Sequence, residues 1–198
     1  RVIIDPVPIR LWGTYYGDNT NNFYTLGDAS ITTDSNGNAF MSGSTSAPNT
    51  FYATSGAHQT SIPQDIYLDT NGIIVKFNPN GNRLWGTYYG GTNYNHISDI
   101  KIDYENNVVI TGITQATTNI SSIGAFKPNL TGDSDAFLAK FNESGIRIWG
   151  TYFGGENNDT AFALDIDNSN NIYIVGFTLS LSGISYNCNF QPQLYDGP

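Results

Sequence analysis

The chain has 198 residues, 39% apolar and 14% aromatic, with eight Lys and Arg against 17 Asp and Glu and a formal net charge of −9. This apolar share excludes a disordered chain, the acidic balance without a basic cluster argues against a nucleic-acid partner, and no apolar run reaches the roughly 18 to 20 residues of a membrane-spanning helix. Charged residues are only 13% of the chain, so solubility rests on neutral amides and hydroxyls, as is common in proteins that work outside the cell. The 21 glycines, set among many Asn, Thr and Ser, mark short strands joined by tight turns, an all-β profile. Cys188 is alone, which excludes an intrachain disulfide and a Cys-based zinc cluster within this segment. The chain begins at Arg1 with neither an initiator Met nor a signal-peptide pattern, and is read as a mature or excised piece.

In chain order, Arg1-Val-Ile-Ile-Asp5 precedes Ile9-Arg-Leu-Trp12 by the interval at which Leu138 to Asn142 precedes Ile146 to Trp149. Next comes Arg10-Leu-Trp-Gly-Thr-Tyr-Tyr-Gly17, which returns as Arg83-Leu-Trp-Gly-Thr-Tyr-Tyr-Gly90 and as Arg147-Ile-Trp-Gly-Thr-Tyr-Phe-Gly154. A second element follows each copy: Asp34-Ser-Asn-Gly-Asn38, Asp103-Tyr-Glu-Asn-Asn107 and Asp167-Asn-Ser-Asn-Asn171. A third pairs Ile74-Val-Lys-Phe-Asn78 with Leu138-Ala-Lys-Phe-Asn142, and Gly124-Ala-Phe-Lys-Pro128 echoes Gly56-Ala-His-Gln59, with Phe190-Gln-Pro192 in the last copy. Tandem self-similarity at this period reads as one supersecondary unit repeated.

Each unit is expected to hold four strands, placed in the middle copy near 97–103, 107–113, 136–142 and 146–152. The first two are joined by the Asp-x-x-(Gly/Asn)-Asn hairpin, whose fourth position, Gly37, Asn106 or Asn170, suits a left-handed backbone, with Asp34, Asp103 and Asp167 bonding turn amides. Asn107-Val-Val-Ile-Thr-Gly-Ile113 and Asn171-Ile-Tyr-Ile-Val-Gly-Phe177 are apolar on both faces, so their sheets must be covered on both sides. A radial stack of four-stranded blades supplies that cover, whereas β-solenoid coils are usually shorter and lack internal hairpins. The fold class is therefore an all-β propeller segment of antiparallel blades, about three units of an incomplete ring. Residues 1–16 end a preceding blade, 27–89 and 97–152 form blades, and 161–198 is the first half of a following one. Flanking blades of a longer chain are the expected partners of the open edges.

The pattern Asp135-Ala-Phe-Leu-Ala-Lys-Phe141, Trp149-Gly-Thr-Tyr-Phe-Gly-Gly155, Asp159, Asp167 to Asn171 and Ile172-Tyr-Ile-Val-Gly-Phe-Thr178 resembles the bacterial β-propeller repeat family called SBBP. The first copy departs from it around Asp18 to Gly27, where the second glycine of the pair is Asp18 and four residues are inserted. The resemblance implies a secreted or surface-exposed bacterial protein, frequently large and multidomain, and in Bacteroidetes-like lineages often a substrate of type IX secretion at the outer membrane. The family has no shared catalytic motif, so the resemblance transfers no active-site residue.

The recurring Trp12, Trp85 and Trp149 and the pairs Tyr15/Tyr16, Tyr88/Tyr89 and Tyr152/Phe153 read as blade-to-blade core, one of each pair facing each side. The Asp-rich turns do not match an EF-hand loop and read as turn caps; Glu156, Asp159, Asp133 and Asp135 keep calcium as an alternative to no cofactor. His58 and His96 stand in different units without a matching acid or nucleophile, giving no catalytic or metal-site assignment. The long connections 46–69, 115–134 and 179–198 share one face of the disc with the Gly-Gly loops at 90–96 and 154–160. If a ligand is bound, Tyr52, Tyr67, Tyr94 and His96 are its candidate exposed contacts there. The expected role is a non-enzymatic propeller of an exported surface protein, an adhesin, spacer or docking module for protein or glycan. Two alternatives are a component or cargo of a secretion or motility assembly, and a hydrolase or lyase whose active site lies in other blades.

Overall fold

The structure, a computed structural model, describes residues 10–17, 27–46, 51–63 and 70–185. Ten strands and no helix occur among them. Strands β1 (Gly27–Thr33), β2 (Ala39–Thr45), β3 (Asn71–Phe77) and β4 (Arg83–Tyr89) form one four-stranded sheet in sequence order. A second such sheet holds β5 (Asn95–Ile102), β6 (Val108–Thr114), β7 (Asp135–Phe141) and β8 (Arg147–Phe153). The last pair is β9 (Asp159–Ile166) with β10 (Ile172–Thr178). All neighbours are antiparallel. The chain is thus an all-β stack of blades that does not close into a ring, and the ends of the second blade's strands fall within two residues of where the repeat placed them.

The Asp hairpins form for the reason their sequence suggests. Asp34 Oδ1 accepts the amides of Asn36 and Asn38, each at 2.9 Å, and Asp103 and Asp167 do the same two and four residues on. The fourth position is left-handed in every copy: Gly37 at φ 77°, Asn106 and Asn170 at φ 62°. On the same face of the disc, Ser35 Oγ donates to Asn106 Oδ1 and the Tyr104 amide donates to Asn170 Oδ1, so each hairpin leans on the next. Lysines from the third strands reach the first two carboxylates: Lys140 Nζ lies 2.7 Å from Asp103 and Lys76 Nζ 3.9 Å from Asp34.

The main core lies between the first two blades, where Phe40, Ile74 and Tyr89 meet Ile97, Ile110, Phe137 and Phe141. The paired aromatics divide between the faces of the sheet. Tyr89 packs on Phe137 and Phe141 of the next blade, whereas Tyr88 belongs to a second cluster with Tyr52, Ile62 and Ile73 on the opposite side. Trp85 spans the blade boundary, its Nε1 donating to Glu143 O at 2.9 Å while its ring covers Gly145, where a methyl group would come within 2.9 Å of it. Trp12 repeats that contact over Gly81 and Phe77. The tryptophans are junction residues but not enclosed ones: Trp85 and Trp149 are half-buried, and Trp12 is exposed.

Residues 10–17, expected as a fourth strand, carry no strand pairing among the described residues. A fourth strand pairs with a third, and the third-strand equivalent at 1–5 lies outside the described residues, as do Cys188 and Phe190 to Pro192. No helix among the described residues is long and apolar enough to cross a membrane.

Trp85→Ala should cost about 2 kcal/mol, below the 3–5 kcal/mol typical of a fully buried Trp. Trp149→Ala, whose ring faces no third-blade hairpin among the described residues, should cost less than half as much. Urea unfolding of the two variants beside the parent chain checks the difference.

Candidate functional site

Strand order sets the faces. The connections from second to third strands and from fourth to first strands emerge at one end of the sheets, and the hairpins at the other. At the first end, Tyr94 immediately precedes β5 and His96 is its second residue, their rings stacked 6.3 Å apart and 13° from parallel. Tyr94 is 40% exposed and His96 is half-buried, with Nδ1 2.9 Å from Ser44 Oγ of the first blade. The backbone holds this pair in place, because Gln115 N donates to Tyr94 O and Asn95 N to Thr70 O.

The structure brings these two sequence-predicted residues together and places Tyr52 in the core. Tyr52 is 1% exposed and is not a surface contact. Its ring packs edge-on against Tyr88 at 6.0 Å and tilted against Tyr16 at 5.6 Å, because the connection after β2 folds back over the sheet instead of projecting from it. That fold-back is bonded along its length, from Thr54 N to Gly86 O and from Tyr88 N to Gln59 O. Tyr67 lies outside the described residues.

A polar cluster that the sequence did not single out lies where the first strands converge. Asp99, nearly buried, sits at an irregularity in the pairing of β5 with β6. Its Oδ1 accepts Ser30 Oγ of β1 at 2.7 Å and its Oδ2 accepts Leu164 N of β9 at 3.0 Å, with Lys101 Nζ at 3.1 Å. One carboxylate therefore ties three blades together. Burial pushes its pKa up, but the Leu164 amide, the Ser30 hydroxyl, Lys101 and the Ile100 amide together outweigh that and hold it below the ordinary carboxylate value. Matching irregularities occur in β1 and in the β9–β10 pairing, so each first strand is bent at one height.

The Gly-Gly turn of the second blade gathers a further set. Asp135 and Asp159, both buried, flank Gly154, and Lys127 Nζ bonds Asp135 Oδ2 and Gly154 O, each at 2.7 Å. Asp135 and Asp159 were visible in the sequence as acids near the turn; Lys127 was not. The alignment of Lys127 with Gln59 was its one signal. No group of three or more His, Cys, Asp or Glu side chains able to hold a metal occurs among the described residues.

The exposed apolar surface concentrates beside the third unit. Ile148, Phe126 and Ile123 on the second blade, and Phe162, Val175 and Phe177 on the last strand pair, are each at least half exposed. A cavity of about 890 Å³ lies between Phe126, Trp149, Phe153 and Ile174. Its place in the blade corresponds to the ground that Phe137 and Phe141 cover beside Tyr89 and Trp85.

This geometry is that of stacked propeller blades, and the comparisons with known proteins agree. Residues 148–181 match the family described as Beta-propeller repeat, SBBP. Over 148 residues, 71% of this chain, the sequence is 30% identical to the uncharacterized WD repeat-containing protein L264 of Acanthamoeba polyphaga mimivirus. The match spans about 10% of that protein's length.

One half-buried base has a pH consequence. His58, in the connection of the first blade, packs against Tyr89 at 6.1 Å and Phe141 at 5.6 Å, and burial, with the nearby Arg147 charge, lowers its pKa from 6.5 to about 4. The unfolded chain binds the proton more readily, so stability is full above pH 6.5, declines as pH falls toward 4, and levels off below that. Urea midpoints between pH 7 and 4 should show this decline in the parent chain and a flatter profile in His58→Phe. The carboxylates held low, Asp34, Asp99 and Asp103, add their own loss only as pH falls below their ordinary value of 3.8.

Proposed function

We propose that the chain is a non-catalytic propeller scaffold of a large exported protein, and that it acts as a binding module through the face carrying its long connections. The observation that carries this reading is a division of labour between repeated and unrepeated residues. Residues that recur from copy to copy hold hairpins and join blades: Asp34, Asp103 and Asp167 cap turns, Trp85 bonds Glu143 O, and Tyr89 donates to Ile120 O at 2.7 Å. Tyr94 and His96 occur in one copy only, with Asn158 and Thr160 at the corresponding positions, and they form a flat, partly exposed aromatic pair. Such pairs suit stacking against a sugar ring or a proline, and function carried on unrepeated surface residues of a rigid frame is the usual arrangement. The WD-repeat character of the mimivirus relative favours a docking role, while the neutral, amide-rich composition supports export.

Screening the chain on glycan and proline-rich peptide arrays tests the binding role. Tyr94→Ala should abolish any array signal while leaving the unfolding free energy from urea titration within about 0.5 kcal/mol of the parent, the usual range for a surface change. Signal that survives Tyr94→Ala and His96→Ala together would move binding away from this face, and turnover of an arrayed sugar would replace the scaffold by an enzyme. Protease treatment of intact source cells tests export: peptides from the 90–96 loop should be released without lysis.

A further inference from the structure

We propose that the turn between β8 and β9 is a calcium site, built on Asp135 and Asp159, in which the Lys127 ammonium now holds the place of the ion. Asp135 opens β7 with a side chain that is wholly buried, and Asp159 opens β9 at 2% exposure. Both close on one α-carbon: a methyl group added to Gly154 would lie 2.5 Å from Asp159 Oδ2 and 2.8 Å from Asp135 Oδ1. Asp135 Oδ2 accepts Lys127 Nζ at 2.7 Å and Thr131 N at 3.2 Å; Asp159 Oδ2 accepts Gly155 N at 2.8 Å and Ser180 Oγ at 2.9 Å. The remaining oxygen of each carboxylate, Oδ1, is buried and has no hydrogen-bond donor.

Two buried carboxylates thus lie either side of Gly154, with one ammonium between them and solvent that pairs with Asp135 alone of the two, and each carboxylate keeps an oxygen free. Buried charge of this kind is costly unless it is paired or coordinates a metal. The first blade shows that the fold does not demand it. There Asn71, Asn95 and Gln59 stand at the positions of Asp135, Asp159 and Lys127, around Gly90 as the acids stand around Gly154. Asn95 closes that turn with neutral bonds, donating to Thr70 O, Gly91 O and Asn93 O and accepting from Thr114 Oγ1. Asn71 Oδ1, like Asp135 Oδ1, is buried without a donor, so what the second blade adds at this turn is charge; the turn closes with amides, and the acids serve something other than closure.

The available donors select the ion. All are oxygens: the two carboxylates, and the Gly154 and Gly155 carbonyls that Lys127 Nζ contacts at 2.7 and 3.3 Å. Oxygen-only sets of mixed carboxylate and carbonyl type suit a hard cation, and calcium accepts their irregular geometry more readily than magnesium does. With Lys127 in place the set carries one uncompensated negative charge. A calcium ion that displaces the ammonium neutralises both carboxylates. Lys127 is 16% exposed along its side chain, so solvent lies within its reach.

Calorimetric titration of the chelator-treated chain with calcium chloride tests the site. The expected result is saturable binding of one calcium per chain, accompanied by a rise in Tm, with magnesium weaker. Lys127→Gln, which installs the residue of the first blade, should bind several-fold more tightly, because the competing cation is gone. Asp135→Asn and Asp159→Asn, also first-blade residues, should each remove binding with the circular dichroism spectrum retained. Absence of binding in both the parent and Lys127→Gln would overturn the proposal, as would binding that persists in the Asp135→Asn/Asp159→Asn double variant or magnesium binding as tight as calcium.

Discussion

Every blade depends on having both faces of its sheet covered by something apolar. The second strands of the last two units are apolar on both faces, and a sheet built on such strands cannot leave either face in water. β6, between the first blade and the last strand pair, is buried at every position but one, whereas β10, of nearly the same composition, is exposed or half-exposed along its whole length. The difference lies in the neighbour and not in the residues. Covering is done largely by aromatics that face across the gap, so Tyr89 lies against Phe137 and Phe141 while its neighbour Tyr88 serves the opposite side. Stability is therefore a property of adjacent pairs of blades more than of any blade alone, as in other repeat architectures.

Polar groups fix the spacing that the apolar faces need. A hairpin closed by Asp and a left-handed Gly or Asn has one geometry, so all three copies present their strands at one height. Asp99 then ties the first strands of three units, and the Arg side chains fasten each last strand to the long connection of its own blade: Arg83 Nη1 donates to Phe51 O and Arg147 Nη1 to Asn119 O, each at 2.8 Å. In the second blade, where the side chains of both partners are mostly buried, the Asp103–Lys140 pair is short and the hairpin amides satisfy the other carboxylate demands. That full satisfaction is what makes a buried ion pair tolerable, since desolvation offsets most of the Coulombic gain.

How far the sequence discloses this structure follows from how the information is stored. Strand positions, hairpin chemistry and the two-sided burial of Tyr88 and Tyr89 are local patterns that internal comparison exposes, although Tyr15, the first copy's equivalent of Tyr88, is fully exposed in a segment without strand pairing among the described residues. Tyr52 was misread because its fate depends on where a long connection goes, and a loop residue that folds back over its own sheet looks like any other loop aromatic. Asp99 is a similar case. Its corresponding residues are Ser30 and Ala163, and nothing in one strand announces that its carboxylate will bond amides and hydroxyls on two others. Tyr94 and His96 were found as residues but not as a pair; their i, i+2 spacing at the entry to β5 lets both point the same way, and only the packing beside Ser44 brings their rings parallel.

The positions that depart from the repeat are therefore the informative ones, and the two complete blades act as each other's control. They share a backbone plan, a Trp-Gly-Thr-Tyr strand and a Gly-Gly turn, yet around that turn one carries Gln59, Asn71 and Asn95 and the other Lys127, Asp135 and Asp159. A turn that closes with amides alone has no structural need for two acids and a lysine in nearly dry surroundings. Exchanging amide for carboxylate at two positions and recruiting a cation at a third, with no change of strand register, alters charge while leaving shape intact. In a fold whose repeated residues hold the frame, a change of that kind alters what the loop face can bind without altering how the blades stack.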